Sequence, residues 1–181
     1  MTLIILLVVV ALVLLWALGA YNGFVKLKNM VEEAWSGISV QLKRRHDLVP
    51  NLVATTKGMA GHEKELMTAV TNARAARTVG EAVKAEAQVS RLLGSFVATA
   101  EAYPEIKADA SFNKVMSELS SLENELQMAR RYYNGAAREY NTAIQTMPKG
   151  IIARLFNFKE KEYFELDSAE EAAVPTVDFS A

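Results

Sequence analysis

Residues 41–53 read QLKRRHDLVPNLV, and how the chain passes through them decides the fold. The apolar residues before this stretch lie on one face of a helix, at spacings of four, three and four: Val31, Trp35, Ile38 and Leu42. A proline inside a helix removes a hydrogen bond and clashes with the preceding turn, whereas the first turn tolerates it. We therefore expect a corner here, with Pro50 opening a second helix.

A single long helix is the alternative interpretation. The heptad phase of the first helix continues at positions 49, 52, 56 and 59, so Pro50 would then only kink one rod. The corner is preferred because four shorter helices bury their apolar stripes mutually, whereas one long rod leaves part of its stripe bare. At a corner, Asp47 and Asn51 would satisfy open backbone groups.

Three more segments have helical periodicity: one from Asn51 to about Arg77, one from Glu81 to Ala102 and one from about Asp109 to Met147. Pro104 and Pro148 are expected to end the last two. No segment alternates at period two over a useful length. The pattern predicts an all-α protein, an antiparallel up-and-down four-helix bundle preceded by one N-terminal transmembrane helix.

The N-terminal stretch LIILLVVVALVLLWALGAY, residues 3–21, has no charged side chain, and the first charge is Lys26. About 20 apolar residues cross a bilayer core of roughly 30 Å, so the length suits a membrane span. A cleaved signal peptide would have a basic start and a shorter apolar run, so we expect an uncleaved anchor in contact with membrane lipids. The basic residues after the span favour a cytoplasmic body, although large domains translocate regardless of charge.

Four parts are predicted: an anchor at 1–22, a helical bundle at 23–148, a short amphipathic segment at 149–166 and a flexible acidic tail at 167–181. Residues 21–158 carry 18 Lys and Arg against 14 Asp and Glu, whereas residues 159–181 carry 2 against 7. This mildly basic body is too weakly charged for nucleic-acid binding. The apolar residues of the amphipathic segment would lie on the lipid interface or pack on the end of the bundle.

The basic cluster at residues 43–46 has two open interpretations. Lys43, Arg44 and their neighbours could complement the negative end of the first helix, or they could bind an acidic partner. Arg45 differs because the apolar phase points it inward. An unpaired buried charge is too costly, so we expect Arg45 to pair with Glu123 or Glu118.

Tyr-Asn pairs recur at 21–22, 133–134 and 140–141. Because seven residues make two helical turns, Tyr133 and Tyr140 share one face, and Asn134 and Asn141 share the adjacent one. These residues could form a polar ladder that fixes helix register, or a contact between subunits near the membrane.

No motif for catalysis or for a bound cofactor occurs. His62-Glu63 begins like a zinc-protease motif, but Leu66 stands where the second His is required. The chain has two His and no Cys, so a zinc site is not expected. No Gly-x-Ser-x-Gly turn or phosphate-binding loop is present. The sequence therefore predicts a protein that is not an enzyme and has neither a metal nor a cofactor.

Several stretches together resemble the LemA family of bacterial membrane proteins. They are QLKRRHDLVPNLV with the residues around it, AEAYPEIKA, ELSSLENELQMARRYYNGAAREYNTAI and MPKGIIARLFNF. The resemblance covers nearly all of residues 21–158. It implies a membrane-anchored antiparallel four-helix bundle and no enzyme activity, because the family has no established chemistry. Some relatives are associated with building or maintaining specialised bacterial membranes.

We accordingly expect a single-pass protein of the bacterial inner membrane that scaffolds partners or forms a homo-oligomer. A regulatory subunit of a membrane protease or transporter is the alternative, and a metal-dependent hydrolase is a more distant one. The residues expected at partner or assembly contacts are Lys43, Arg44, Arg45, Asp47, Pro50, Asn51, Tyr133, Asn134, Tyr140 and Asn141. Apolar residues beyond the needs of one bundle, notably Trp35 and the aromatic residues of 156–164, motivate the oligomer.

Overall fold

The computed structural model describes residues 1–56 and 60–165, with the side chains of 60–62 outside the description. This part of the chain is helical and contains no strand, as predicted. The helices are α1 (Thr2–Thr55), α2 (Ala60–Arg74), α3 (Val79–Glu101), α4 (Pro104–Lys107), α5 (Ala110–Gln145) and α6 (Lys149–Leu155). The predicted acidic tail at 167–181 lies outside the described residues.

The predicted corner at Pro50 is wrong, because α1 continues through it as one helix of 54 residues. At 1.5 Å per residue, α1 is about 80 Å long. Val49 and Leu52 are fully buried on either side of Pro50, in phase with Leu42. Burial of this continuous stripe outweighs the cost of the proline, so the alternative interpretation of one long helix is confirmed.

The predicted stops at Pro104 and Pro148 are confirmed. The third helix ends at Glu101, and Pro104 opens the short α4 at its first turn. The fifth ends at Gln145, just before Pro148. Side chains cap the starts of α3 and α5: Thr78 and Glu81 form a capping box, and the Asp109 carboxylate accepts the backbone N–H groups of Ser111 and Phe112.

Beyond its exposed apolar start, α1 runs antiparallel to α5. Trp35 packs against Tyr133, and further along α1 the Arg44 guanidinium reaches Glu125, so rising numbers in α1 meet falling numbers in α5. Helix α5 therefore returns the chain towards Tyr21. The second helix pairs with α3, with which it is joined by a short turn.

The buried apolar residues form two clusters. The first joins α1 and α5 to α6 and Phe164, around Phe24, Tyr133 and Tyr140. The second draws on four helices: Val49 and Leu52 of α1 with residues of α2, α3 and the first half of α5. These two clusters form the body, and the apolar residues from Leu3 to Leu15 project beyond it and are exposed.

Candidate functional site: a buried charge cluster and a clamped C-terminal strap

Arg45 and His46 are buried in the middle of the body, and both contact the carboxylate of Glu86 on α3. Arg45 Nη1 lies 3.2 Å from Glu86 Oε2, and His46 Nε2 lies 2.5 Å from Glu86 Oε1. The Glu86 residue is 1% exposed. One carboxylate thus serves two neighbouring groups of α1, which holds α3 against α1.

The inward placement of Arg45 was predicted, with Glu123 or Glu118 as its partner, and the structure brings Glu123 to it. Arg45 Nη2 lies 3.6 Å from Glu123 Oε2, so its guanidinium joins α1 to α3 and α5. Glu86 is the partner that sequence reasoning missed. The sequence did indicate that Glu86 faces inward, because it follows Ala82 by four residues and precedes Val89 by three, within an apolar stripe.

The remaining basic residues of the cluster do not complement a helix end, because α1 continues for another ten residues. Lys43 and Arg44 are exposed, and Arg44 Nη1 contacts Glu125 Oε2 at 3.1 Å. Asp47 and Asn51 are exposed within α1, so they do not cap open backbone groups at a corner as predicted. Their predicted contacts with another chain stay a prediction.

Pro50 leaves the carbonyl of His46 without its helical donor, and α2 supplies a replacement. In a regular helix the N–H of residue 50 would bond the carbonyl of residue 46. Here Arg74 Nη2 donates to His46 O at 2.9 Å and to Asp47 Oδ1 at 3.0 Å. The last turn of α2 is therefore tied to α1 at the proline.

An open cleft of about 380 Å³ lies between α1 and α5 beside this cluster. Its lining residues are Arg44, Asp47, Leu48, Asn51, Glu118, Ser121, Leu122 and Glu125. Two of its acids already contact cations: Glu125 pairs with Arg44, and Asp47 with Arg74. Within the described part of the chain, no group of three His, Asp or Glu side chains is placed to hold a metal ion.

The Tyr-Asn pairs of α5 bind an extended segment, residues 159–165, which we call the strap. Asn141 Nδ2 donates to Lys161 O, and its Oδ1 accepts from Lys161 N. Asn134 makes the same two bonds with Phe164, at 3.1 and 2.8 Å. Seven helical residues rise about 10.5 Å and three extended residues span about 10 Å, so the two asparagines match the strap in register.

Tyr133 and Tyr140 are both buried, and Tyr133 also contacts the strap. The Tyr133 hydroxyl donates to Glu162 O at 2.8 Å. Burial, with a smaller contribution from the Glu162 charge, raises the pKa of Tyr133 to about 12. Burial and the Glu32 charge also raise the pKa of Tyr140. Both hydroxyls therefore stay protonated at neutral pH.

The strap also reaches α1 and α3. Lys161 Nζ lies 3.7 Å from Glu32 Oε1 of α1. Glu162 Oε2 accepts the backbone N–H of Gly80 at 3.0 Å, and a Cβ at Gly80 would lie only 3.0 Å from that same oxygen. The ladder was predicted to fix the register between helices, but the hydrogen bonds of Tyr133, Asn134 and Asn141 run to the strap instead, which the sequence did not reveal.

Aromatic residues that motivated the predicted oligomer pack within the chain. Trp35 lies 5.8 Å from the ring of Tyr133 and 6.1 Å from that of Phe164, and the guanidinium of Arg130 lies over the Phe164 ring. Tyr21 and Phe24 pack on Phe156 and Phe158. Most of these rings are therefore used within the chain, whereas Phe156 is packed on one side and still 55% exposed. Spare aromatic residues are thus weak support for an oligomer.

The architecture defines a class: an all-helical protein whose first helix is long and apolar enough, by length and composition, to cross a membrane before it enters the body. The LemA family profile matches residues 34–179, and the chain belongs to the LemA family. Its predicted resemblance to that family is confirmed.

Several curated proteins are similar over most of their length. Magnetosome protein MamQ 2 of Paramagnetospirillum magneticum is 25% identical, over 86% of this chain and 68% of its own. Magnetosome protein MamQ of Magnetospirillum gryphiswaldense is 24% identical over the same shares. Protein LemA of Metamycoplasma hominis is 23% identical over 87% of this chain and 74% of its own.

Proposed function

We propose that this protein is a non-enzymatic scaffold, anchored in the bacterial inner membrane by the first part of α1, whose body is an antiparallel four-helix bundle that self-assembles or holds partners. One observation carries the proposal: the exposed apolar part of α1 and its buried part are a single continuous helix. A continuous helix transmits the position and tilt of the anchor to the body, which suits a scaffold. The similarity to magnetosome proteins supports a role at a bacterial membrane.

The non-enzymatic part of the proposal is supported by how the polar residues are used. Arg45 and His46 both bind Glu86, whereas Tyr133, Asn134 and Asn141 bind the strap. The cleft beside Arg44 is open to solvent, with its acids partly paired. Elemental analysis of protein purified without chelator, with a generic hydrolase screen, tests this directly, and a stoichiometric metal or an activity would overturn it.

Self-assembly is supported by exposed apolar residues on the outer face of α5. Met128 and Tyr132 are 57% and 55% exposed, and a spacing of four residues makes them neighbours on the helix. Their side chains point away from both core clusters. A second copy would bury this pair.

The chain has no Cys, so single cysteines report contacts cleanly. When isolated native membranes are treated with a mild oxidant, we expect Met128→Cys to form disulfide-linked dimers, and Glu65→Cys on the exposed face of α2 to form few. Native mass spectrometry in detergent should show an oligomer of full-length protein. A monomer, with equal cross-linking at both positions, would contradict self-assembly and favour the interpretation as a regulatory subunit. Cross-linking to a dominant membrane neighbour would support that interpretation.

The anchor is tested by extraction. Full-length protein should stay in the membrane pellet after alkaline carbonate treatment, whereas a chain without residues 2–20 should not.

We propose that the body lies on the cytoplasmic side, which is supported by Lys26 and Lys28 shortly after the apolar stretch. Labelling of Glu65→Cys by a membrane-impermeant maleimide in intact spheroplasts would contradict that orientation.

A further inference from the structure

Helix α6 has two apolar faces, and only one of them is used in the body. Ile152 and Ala153 are buried in the first core cluster. Ile151 and Leu155 point away from it and are 55% and 74% exposed. Met147, before the helix, and Phe156, after it, add exposed apolar surface. A seven-residue helix that exposes so much apolar surface in water is unfavourable unless something covers it.

The position of α6 along α1 indicates what covers it. Ala17 and Ala20 pack against the core cluster that contains Ile152 and Ala153, and Tyr21 lies 4.9 Å from the ring of Phe156. These residues of α1 form the last turn of the apolar stretch, within about 6 Å along the axis. Helix α6 therefore lies beside the point where the anchor leaves the hydrocarbon core.

The charges of this segment suit a lipid surface. From Met147 to Phe158 the chain carries Lys149 and Arg154 and no acidic residue. An amphipathic helix with apolar residues on one side and cations beside them binds in the plane of the interface, with the cations among anionic headgroups. On α1, Lys26 lies about 7.5 Å beyond Tyr21, on the aqueous side.

We propose that Met147, Ile151, Leu155 and Phe156 form an interfacial face that inserts into the same bilayer that α1 spans, with Lys149 and Arg154 at the headgroups. The proposal rests on the membrane anchor of the proposed function. Two contacts with the bilayer, a span and an adjacent interfacial helix, set the depth of the span and the tilt of the body. A span alone leaves the body free to rotate and tilt.

Depth-dependent quenching tests the proposal on the full-length protein. Single cysteines at Leu155, at Leu12 within the anchor and at Glu65 on α2 each receive an environment-sensitive fluorophore, and the protein is reconstituted into phosphatidylcholine vesicles containing phosphatidylglycerol. Spin-labelled lipids carry the quencher either near the headgroup or deep in the acyl chain. We expect Leu155→Cys to be quenched at least twofold more by the shallow quencher, Leu12→Cys to be quenched more by the deep one, and Glu65→Cys by neither.

The three labelled positions distinguish failure of the interfacial face from failure of the membrane anchor. If Leu155→Cys behaves like Glu65→Cys while Leu12→Cys is quenched, the interfacial face is wrong and the anchor stands. If neither Leu12→Cys nor Leu155→Cys is quenched, the anchor itself is wrong. If the fluorophore at position 155 is shielded from both quenchers, and the shielding falls as lipid dilutes the protein, a second copy covers the face and the proposal is overturned.

A charge variant gives an independent measurement. Replacing both Lys149 and Arg154 by Glu changes two exposed side chains and should leave the helical circular dichroism unchanged. We expect shallow quenching at position 155 to fall at least twofold in vesicles with anionic lipid. Unchanged quenching would contradict the role of these cations.

Discussion

Arg45 sits inside the protein because two carboxylates from different helices reach its guanidinium. Glu86 is fully buried with it, and Glu123 approaches from the exposed side of α5. Removing charged groups from water is expensive, so such a cluster persists only when its members are paired and hydrogen-bonded. The neighbouring Arg44 makes a similar contact at the surface, where solvent weakens it.

Replacing Arg45 by Ala should destabilise the protein by about 3–5 kcal/mol, because it leaves Glu86 with one buried partner fewer. Arg44→Ala should cost less than about 1 kcal/mol, since its pair with Glu125 is exposed. Lys43→Ala should have no measurable effect. Denaturant unfolding of the three variants in the same detergent measures the difference, and three equal midpoints would contradict the buried pairing.

Tyr133 gives the protein a sensitivity to alkali. Its folded pKa of about 12 lies above the ordinary value of 10.0, so the folded state holds the phenolic proton more tightly than the unfolded chain does. The stabilisation is complete below about pH 10 and is lost as pH rises towards 12. The free energy of unfolding should therefore fall more steeply over this range in the native protein than in Tyr133→Phe. Parallel pH profiles would refute this.

At the scale of an element, α1 shows how a proline is accommodated inside a long helix. The ring removes the donor to the His46 carbonyl, and Arg74 of α2 supplies another. The same arginine bonds Asp47, so the end of α2 is bound at two adjacent residues of α1. The proline therefore takes part in docking α2.

A double-mutant cycle tests this role of Pro50. Pro50→Ala restores a backbone N–H that can bond His46 O, and should stabilise α1 by up to about 3 kcal/mol. In that background the carbonyl no longer needs Arg74, so Arg74→Ala should cost about 1 kcal/mol less than it does with Pro50 present. Thermal unfolding of the four proteins gives the coupling, and a value of zero would contradict the replacement of one donor by the other.

At the scale of the whole molecule, the strap links three helices that are distant in sequence. It is bound to α5 by Asn134, Asn141 and Tyr133, to α3 by Glu162 at Gly80, and to α1 by Lys161. Phe164 fills the core beneath it, 2% exposed. The strap therefore holds α1, α3 and α5 together between the Arg45 cluster and the exposed apolar start of α1.

Loss of one clamp should release the strap locally. Asn134→Ala removes both bonds to Phe164, so the backbone N–H of Phe164 should exchange with solvent at least tenfold faster. Asn141→Ala should have the same effect on the backbone N–H of Lys161. Asn51→Ala changes an exposed asparagine of α1 and serves as the matched control. Hydrogen exchange with mass spectrometry of peptides covering 159–165 gives the rates. Unchanged exchange in both clamp variants would show that these bonds do not hold the strap.

The sequence by itself determined the helical class, the exposed apolar start of α1, the stops at Pro104 and Pro148, and the inward direction of Arg45. These follow from spacing along one helix and from local steric rules, which need no knowledge of distant residues. The family also follows from the sequence, because its motifs are stretches of contiguous residues.

The tertiary structure alone decided whether Pro50 breaks α1, which carboxylate holds Arg45, and what the Tyr-Asn pairs bind. Each depends on residues far apart in the chain: His46 with Arg74, Arg45 with Glu86, and Asn134 with Phe164. A local pattern gives the correct free-energy cost of a proline inside a helix. It does not include the buried apolar stripe or the Arg74 hydrogen bond to the His46 carbonyl, which offset that cost. The strap has no periodicity of its own, and only the spacing of its partners on α5 defines its path.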